Sequence, residues 1–462
     1  MTKIQTITPI DGTLYYSGDQ HSLADVETAL TLARPAFVEW SKLSVAERIR
    51  YVSGFVDTIE NEKESIAEEI TWQMGRPLSQ SPGEIDGFVE RASYMMSIAE
   101  KFLSPYKPKQ KSGFERWVEH VPLGVVAVLS PWNYPYLTSV NTIVPALVAG
   151  NVVILKHSFQ TPLVAERYLK AAETAGLPAG VFQILHLNHE NTASLISNQS
   201  VDGVFFTGSV KGGVAVQRSL TDKFVTCGLE LGGKDPAYVR ADADLNYTIG
   251  PLVDGSFFNS GQSCCGIERI YVHENRFDEF VEGFVELTKQ YVLGNPLDPS
   301  TTLGPMAKAG AADYVRQQIQ NATKQGAKAL IDESLFTASK KDTAYLAPQV
   351  LINVDHRMDV MTEESFGPVV GIMKVSNDID AVRLMNDSQY GLTASIWTED
   401  EDKARELGRS VETGTLFMNR CDYLDPALAW TGVKNTGRGI TLSGFGYQQV
   451  TQAKSYHLKT RK

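Results

Sequence analysis

A chain of 462 residues is too long for a single hydrophobic core, so roughly three compact units are expected. Its 43% hydrophobic and 21% charged content is that of an ordinary globular protein and excludes a disordered or fibrous chain. The formal charge of -11 is spread along the chain, with no acidic tail and no Lys/Arg-rich run to meet phosphates, so no nucleic-acid partner is expected.

Met1 to Thr13 carries no basic start followed by an apolar stretch, so no secretory signal is expected and a cytoplasmic location is the default. Val26, Ala29, Leu30, Ala33 and Phe37 recur at helical spacing, and Ser22 with Asp25 reads as a capping box at the start of that helix. Ser44 and Glu47 open a second helix in the same way. An amphipathic helical pattern covers about Glu84 to Phe102, after which Lys107 to Val121 turns alternating and basic, like a protruding strand pair.

From Val121 to Leu155 no residue is charged. The four prolines and three asparagines of that stretch would leave polar groups unpaired in lipid, so a buried strand-loop-helix-strand is expected rather than a membrane span. Short β-rich runs follow at Gly124 to Leu129, Asn151 to Leu155, Val181 to Leu185 and Gly203 to Phe206, separated by helices, which implies parallel βαβ units. Thr161 and Pro162 read as cap and first residue of one such helix and Gly176 as its stop. A second α/β region is expected from about Gly232 to Trp430, with strands at Ile270 to Val272 and Val369 to Met373. The last segment, Tyr447 to Lys462, ends strand-like and needs a partner, because a lone terminal strand is marginal.

Four cysteines are too few for a disulfide framework, and reduced thiols are expected. Three short motifs suit chemistry. In Gly261-Gln262-Ser263-Cys264-Cys265 a glycine permits a tight turn that presents one thiol, although buried cysteines acting as small hydrophobes are commoner. Glu230-Leu231-Gly232-Gly233-Lys234 places a carboxylate at a strand end before two glycines that allow close approach; a surface Glu before a turn is the bland alternative. Pro131-Trp132-Asn133-Tyr134-Pro135 places an amide at the carboxyl edge of a strand, where it either serves a ligand crevice or merely caps a helix beginning near Tyr136. The eight histidines are scattered, and no metal site is expected.

Taken together and in order, Asn133, Lys156, Phe206-Thr207-Gly208-Ser209, Glu230-Leu231-Gly232-Gly233-Lys234, Cys264 and Glu364-Ser365-Phe366-Gly367-Pro368 resemble the aldehyde dehydrogenase superfamily over nearly the whole chain. Glu230 and Cys264 stand 34 residues apart, as in that family. The resemblance implies an α/β fold: a variant Rossmann cofactor domain from 1–103 and 123–231, a catalytic domain from 232–446, and a small β oligomerisation element from 104–122 and 447–462. It implies an NAD(P)-dependent oxidation of an aldehyde to the acid, with Cys264 as nucleophile, Asn133 as oxyanion donor and Glu230 as general base. The cofactor residues it implies are Ser130, Trp132, Lys156, Gly208, Ser209, Leu231, Glu364 and Phe366. Those it implies for the substrate tunnel are Tyr134, Thr138, Asn141, Ser263 and Trp430, and the assembly it implies is a homodimer or homotetramer.

The chain departs from the family pattern at several places. Phe159 stands where many NAD-using relatives carry a Glu that repels a 2'-phosphate, so use of both NAD and NADP is expected. Thr441 stands where many carry a second Glu, which leaves deacylation to Glu230 alone. Asn141 stands where succinic semialdehyde dehydrogenases often have Arg, which counts against a carboxylated substrate unless Arg420 substitutes, and a solvated Arg420 is the commoner outcome. Glu230 also argues against transfer to coenzyme A, and the intact trio of Cys264, Glu230 and Asn133 against a non-catalytic protein.

Overall fold

A computed structural model describes residues 3–460; residues 1–2 and 461–462, which belong to the first and last expected segments, lie outside the described residues. The amino-terminal ribbon pairs β1 (Lys3–Ile7) with β2 (Leu14–Asp19) in antiparallel fashion. Both expected capping boxes form. At the start of α1 (Leu23–Trp40) the Asp25 carboxylate accepts the Ser22 N–H at 2.7 Å, and at α2 (Val45–Asn61) Glu47 does the same for Ser44 at 2.8 Å. Helices α3 (Lys63–Met74) and α4 (Pro82–Leu103) complete this layer, and α2 packs on α4.

The first sheet is built from βαβ units, as the alternating apolar runs predict. Parallel strands β4 (Val125–Ser130), β5 (Val152–His157), β6 (Phe182–Ile184), β7 (Gly203–Thr207) and β8 (Thr226–Glu230) lie in the order β6-β5-β4-β7-β8. Their crossovers are α5 (Pro135–Ala149), α6 (Leu163–Thr174), α7 (His189–Ser197) and α8 (Val210–Ser219). Helix α6 starts one residue later than the sequence suggests. Pro162 is its cap rather than its first residue, and the Thr161 hydroxyl turns to the His157 ring at 3.3 Å instead of capping. Gly176 does end it, in the left-handed conformation at φ +70°.

The second sheet runs β11 (Lys328–Ala329), β12 (Gln349–Ile352), β13 (Val369–Val375), β10 (Ile267–His273), β9 (Asp235–Val239), β14 (Thr393–Trp397), β15 (Thr415–Met418), parallel except for β11. The strands expected at Ile270 to Val272 and Val369 to Met373 lie within β10 and β13. Helix α9 (Leu245–Phe257) joins β9 to the turn before β10.

The end of the chain returns to the first sheet. Trp430 packs in its core, and β16 (Gly437–Arg438) adds antiparallel to β8, so the segment expected to close the second region at 446 belongs in part to the first. The reason is local: Gly437 at φ +117° lets this backbone approach Leu229, where a Cβ would lie 2.0 Å from the Leu229 carbonyl oxygen. Lys107 to Val121 is not a strand pair by itself. It contributes one strand, β3 (Phe114–Pro122), whose partner is β17 (Thr451–Lys459), with Trp117 stacked on Tyr456 at 4.4 Å. The segment from Tyr447 is strand-like at its end, as expected, and Tyr447 itself lies in the helix Ser443–Gln449.

Asn151 links these parts. It is fully buried; its oxygen accepts the Gly124 N–H at 3.0 Å, and its amide donates to the carbonyls of Ala146 (3.0 Å) and Val450 (2.9 Å). Asn151→Ala leaves the Gly124 N–H and the Val450 carbonyl unpaired, while the Ala146 carbonyl keeps the backbone N–H of residue 151, and is expected to cost about 3 kcal/mol in urea unfolding; a loss below about 1 kcal/mol would show that these bonds do not hold the carboxyl-terminal segment.

Candidate active site

In the first sheet the chain leaves β4 toward β5 on one side and returns to β7 on the other, so the carboxyl ends of β4 and β7 flank a switch point where α/β sheets form their crevices. A cavity of about 550 Å³ opens there, between the two sheets. Its walls collect Asn133, Glu230 and Cys264 together with Trp132, Tyr134, Thr138, Asn141, Gly208, Ser209, Leu231, Ser263, Glu364, Phe366 and Trp430. Two expected residues lie off it: Ser130 is buried at the end of β4, and Lys156 is at the end of β5 with its ammonium 5.0 Å from the Phe159 ring.

Cys264 is delivered by a turn that only special backbone allows. Asn259, Ser260 and Gly261 all have positive φ (52°, 57° and 71°), and at Gly261 a Cβ would lie 2.3 Å from the Gly367 carbonyl oxygen. The glycine is therefore required twice, by conformation and by close approach. The neighbouring Cys265 is the buried thiol. It donates to Asp422 at 2.9 Å, and its pKa is pushed well up, first by its hydrogen bond with Cys264 and then by burial. Ser263 donates to the same Asp422 oxygen at 3.0 Å.

Asn133 is not a helix cap. Its side-chain amide donates to the Gln262 carbonyl at 3.2 Å, toward the cysteine turn, while the first N–H groups of α5 (Tyr136 and Leu137) are capped from α4 by the Glu84 carboxylate at 2.9 Å each. Arg76 completes the frame. Buried, it pairs with Glu84 at 2.6 Å, donates to the Asn133 carbonyl at 2.5 Å and covers the Tyr134 ring at 4.6 Å.

Glu230, at the end of β8, is gripped by two hydroxyls, from Thr441 at 2.5 Å and Thr207 at 3.3 Å. Burial raises its pKa, and these two bonds, with the charge of Arg91, oppose the rise. Burial, then the nearby Glu268, push Glu364 up to about 8; it accepts the Gly233 N–H at 3.1 Å. Burial lowers the Lys156 ammonium to about 8. The loop bearing Glu364 and Phe366 is pinned from below: Glu268 accepts the N–H groups of Ser365 (2.8 Å) and Phe366 (2.9 Å) and pairs with the buried Lys234. Arg420 lies outside the cavity, exposed, stacked 3.6 Å from the Tyr423 ring. It is a surface arginine.

The profile of the aldehyde dehydrogenase family matches residues 1–456. The chain belongs to that family. An aldehyde dehydrogenase of Paenarthrobacter nicotinovorans is 33% identical over 98% of this chain and 99% of its own length. A succinate semialdehyde dehydrogenase (NAD(P)+) of Escherichia coli K12 is 31% identical over 92% of this chain and 91% of its own. The solved succinic semialdehyde dehydrogenase of Streptococcus pyogenes in complex with NADP+ superposes with a TM-score of 0.94 at 27% identity, covering 99% of this chain and 100% of that one. This aldehyde dehydrogenase thus has the family's α/β architecture throughout, and its activity is the oxidation of an aldehyde.

Several site residues carry no local signal. Arg76, Glu84, Arg91, Glu268 and Asp422 belong to no motif, and their pattern in the sequence is that of ordinary surface charges; only long-range packing buries them. Thr441 was legible as a departure but not as a partner of Glu230. Replacing it with Val removes the shorter of the two donors to the carboxylate, which stabilise the charged form. Thr441→Val is therefore expected to move the Glu230 titration to higher pH, measured by infrared difference against Glu230→Gln; an unmoved titration would show that the hydroxyl does not bear on the carboxylate.

Proposed function

We propose that the chain converts an aldehyde to the free carboxylic acid with NAD or NADP, through a covalent intermediate on Cys264. The observation that carries this reading is the meeting of the Cys264 thiol, the Asn133 amide and the buried Glu230 carboxylate on the walls of a single cavity, each from a different segment of the chain. The Cys264 thiolate adds to the carbonyl carbon, and the carbonyl electron pair moves onto oxygen. Of the two hydrogens on the Asn133 amide one is held by Gln262; the other, with the Cys264 N–H, which meets no backbone carbonyl among the described residues, is free to hold that oxyanion. Such donors are generally worth a few kcal/mol each.

The dinucleotide, when bound, supplies the nicotinamide carbon that accepts the hydride from the former aldehyde carbon. Glu230 then takes a proton from water as the water oxygen attacks the thioester, the C–S bond breaks, and acid and thiol separate. Its burial-raised pKa makes it the stronger base for that step. A carboxylate in this place favours water over coenzyme A as the acyl acceptor.

The residues present fit the dinucleotide. Ser209 caps α8 by accepting the Gly212 N–H at 3.1 Å, so the first N–H groups of that helix face the crevice with the favourable end of its dipole toward a pyrophosphate. The Lys156 ammonium has no hydrogen-bond acceptor among the described residues, and a ribose hydroxyl provides one. Glu364 suits the second ribose, Leu231 and Gly208 line the approach, and Phe366 stands edge-on to Trp132 at 5.7 Å beside the ring position. Ser130, buried at the end of β4, precedes the loop that bears Trp132. With Phe159 in place of an acidic side chain, position 159 sets no charge against a 2'-phosphate; the relatives above named for NAD(P)+ and NADP+ support the same reading.

The same reading makes the β3 and β17 ribbon the element through which a homodimer or homotetramer forms, and the cytoplasm, where the four free thiols stay reduced, the compartment. Residues 3–103 and 123–231 serve the dinucleotide and 232–446 the chemistry, with β16 as the exception noted above.

Intact-mass measurement of acid-quenched, working enzyme is expected to find an acyl group on Cys264, scarce in the wild type and dominant in Glu230→Gln, whose turnover falls about a hundredfold or more; an unmodified Cys264 in both would overturn the covalent route. Phe159→Glu is expected to lower kcat/KM for NADP at least about tenfold relative to NAD, from one unfavourable charge contact with the phosphate; an unchanged ratio would place the 2'-position elsewhere.

A further inference from the structure

Two buried arginines lie at the cavity, Arg91 on its wall and Arg76 behind it, and their surroundings differ. Arg76, 2% exposed, has a partner on each of its three nitrogens: Glu84, the Asn133 carbonyl and Asn259. Arg91, 7% exposed and carried by α4, donates only through Nη1, to the Leu137 carbonyl at 2.6 Å and to the Asn141 side-chain oxygen at 3.3 Å. Among the described residues its Nε and Nη2 meet no acceptor, and no carboxylate comes within 4.0 Å to form an ion pair, although it is the one Lys or Arg on the cavity wall. A guanidinium taken out of water without an anion is costly by several kcal/mol, so the arrangement calls for a partner that the folded chain itself does not provide.

The free edge is the right one for a carboxylate. Nε and Nη2 lie on the same side of the planar fork and donate two parallel bonds to the two oxygens of an acid group. Arg91 shares the cavity wall with Cys264 and donates to Leu137 and Asn141 of α5, the helix that follows Asn133. Nearer acids do not discharge this role. Glu84 is committed to Arg76, Asp422 has one oxygen engaged by Ser263 and Cys265, and Asp254 and Glu230 stay beyond ion-pair distance.

We propose that Arg91 is the anchor for a carboxylate on the far end of the aldehyde, which makes ω-carboxy aldehydes the preferred substrate class. The inference rests on the aldehyde-oxidising reading above and deepens it. It also revises the expectation drawn from Asn141: the cation missing from α5 is supplied across the groove by α4, with Asn141 orienting it. Asp254 and Asp422 make an ammonium-bearing aldehyde the competing occupant, and the experiment separates the two.

The test compares kcat/KM for 4-oxobutanoate, for its methyl ester and for 3-aminopropanal, with wild type, Arg91→Lys and Arg91→Leu. The wild type is expected to prefer the acid to the ester at least about tenfold, and Arg91→Leu to lower that preference about thirtyfold, mainly through KM, with Arg91→Lys in between because it keeps the charge but loses the fork. Protection of Cys264 against iodoacetamide by butanedioate, and not by its dimethyl ester, reports the same anchor in the unaltered chain, whatever the variants do to folding. Preference for the ester or the amine, an acid-to-ester ratio unmoved in Arg91→Leu, or equal protection by diacid and diester would overturn the anchor while leaving aldehyde oxidation standing. A wild type that turns over no aldehyde would sink both.

Discussion

The peptide and side chain of Asn133 join the two sheets. The carbonyl accepts from Arg76 and from Asn259, and the amide donates to Gln262, two residues before Cys264. Gln262 is itself locked, its side chain donating to the Asn259 carbonyl at 3.0 Å and accepting the Ala307 N–H at 2.8 Å. A hydrogen bond of this kind contributes only about 1 kcal/mol net, but leaving a buried partner unpaired costs about 1–3 kcal/mol, so the network is cooperative in effect. It holds three consecutive left-handed residues in place, a local strain that persists only where the surroundings over-determine it. The orientation of the thiol and of the amide that faces it therefore follow from one set of bonds.

Burial is what turns that frame into a reactive site. The same exclusion of water raises the proton affinity of Glu230 and Glu364, lowers that of Lys156 and leaves Arg91 short of an anion. Where a charge has only a structural task, the fold pairs it with an opposite charge, as in Arg76 with Glu84 and in Lys234 with Glu268. Where a group faces the cavity it is left partly unsatisfied, and the shortfall is what a ligand completes. The contrast between Arg76 and Arg91, two arginines of similar burial, is the clearest instance.

Local signals were legible to the extent that their physics is local. Ser22 with Asp25 and Ser44 with Glu47 act within four residues, and both capping boxes formed; the apolar runs that became β4, β5 and β7 are buried on both faces whatever their neighbours. Asn133 could be read as a cap or as a site residue, and the choice was made by Glu84, a side chain more than forty residues away that occupies the capping position from another helix. Thr161 and Pro162 shifted by one residue because the His157 ring offered the hydroxyl a different partner.

The amino-acid sequence by itself determined the family and the α/β order of elements, and it pointed to the thiol, the amide and the carboxylate that line one cavity, because each resides in a short motif whose backbone needs glycine or whose spacing is characteristic. Only the tertiary structure decided what surrounds them: that Thr441 grips Glu230, that Asp422 takes the hydrogen of Cys265, that the chain end returns to pair with β8 and β3, and that Arg420 is outside while Arg91 is inside. The reason is that a charge or hydroxyl has no fixed role in a sequence. Its role is set by the water it loses and the partners it meets when distant segments pack, and neither quantity exists until they do.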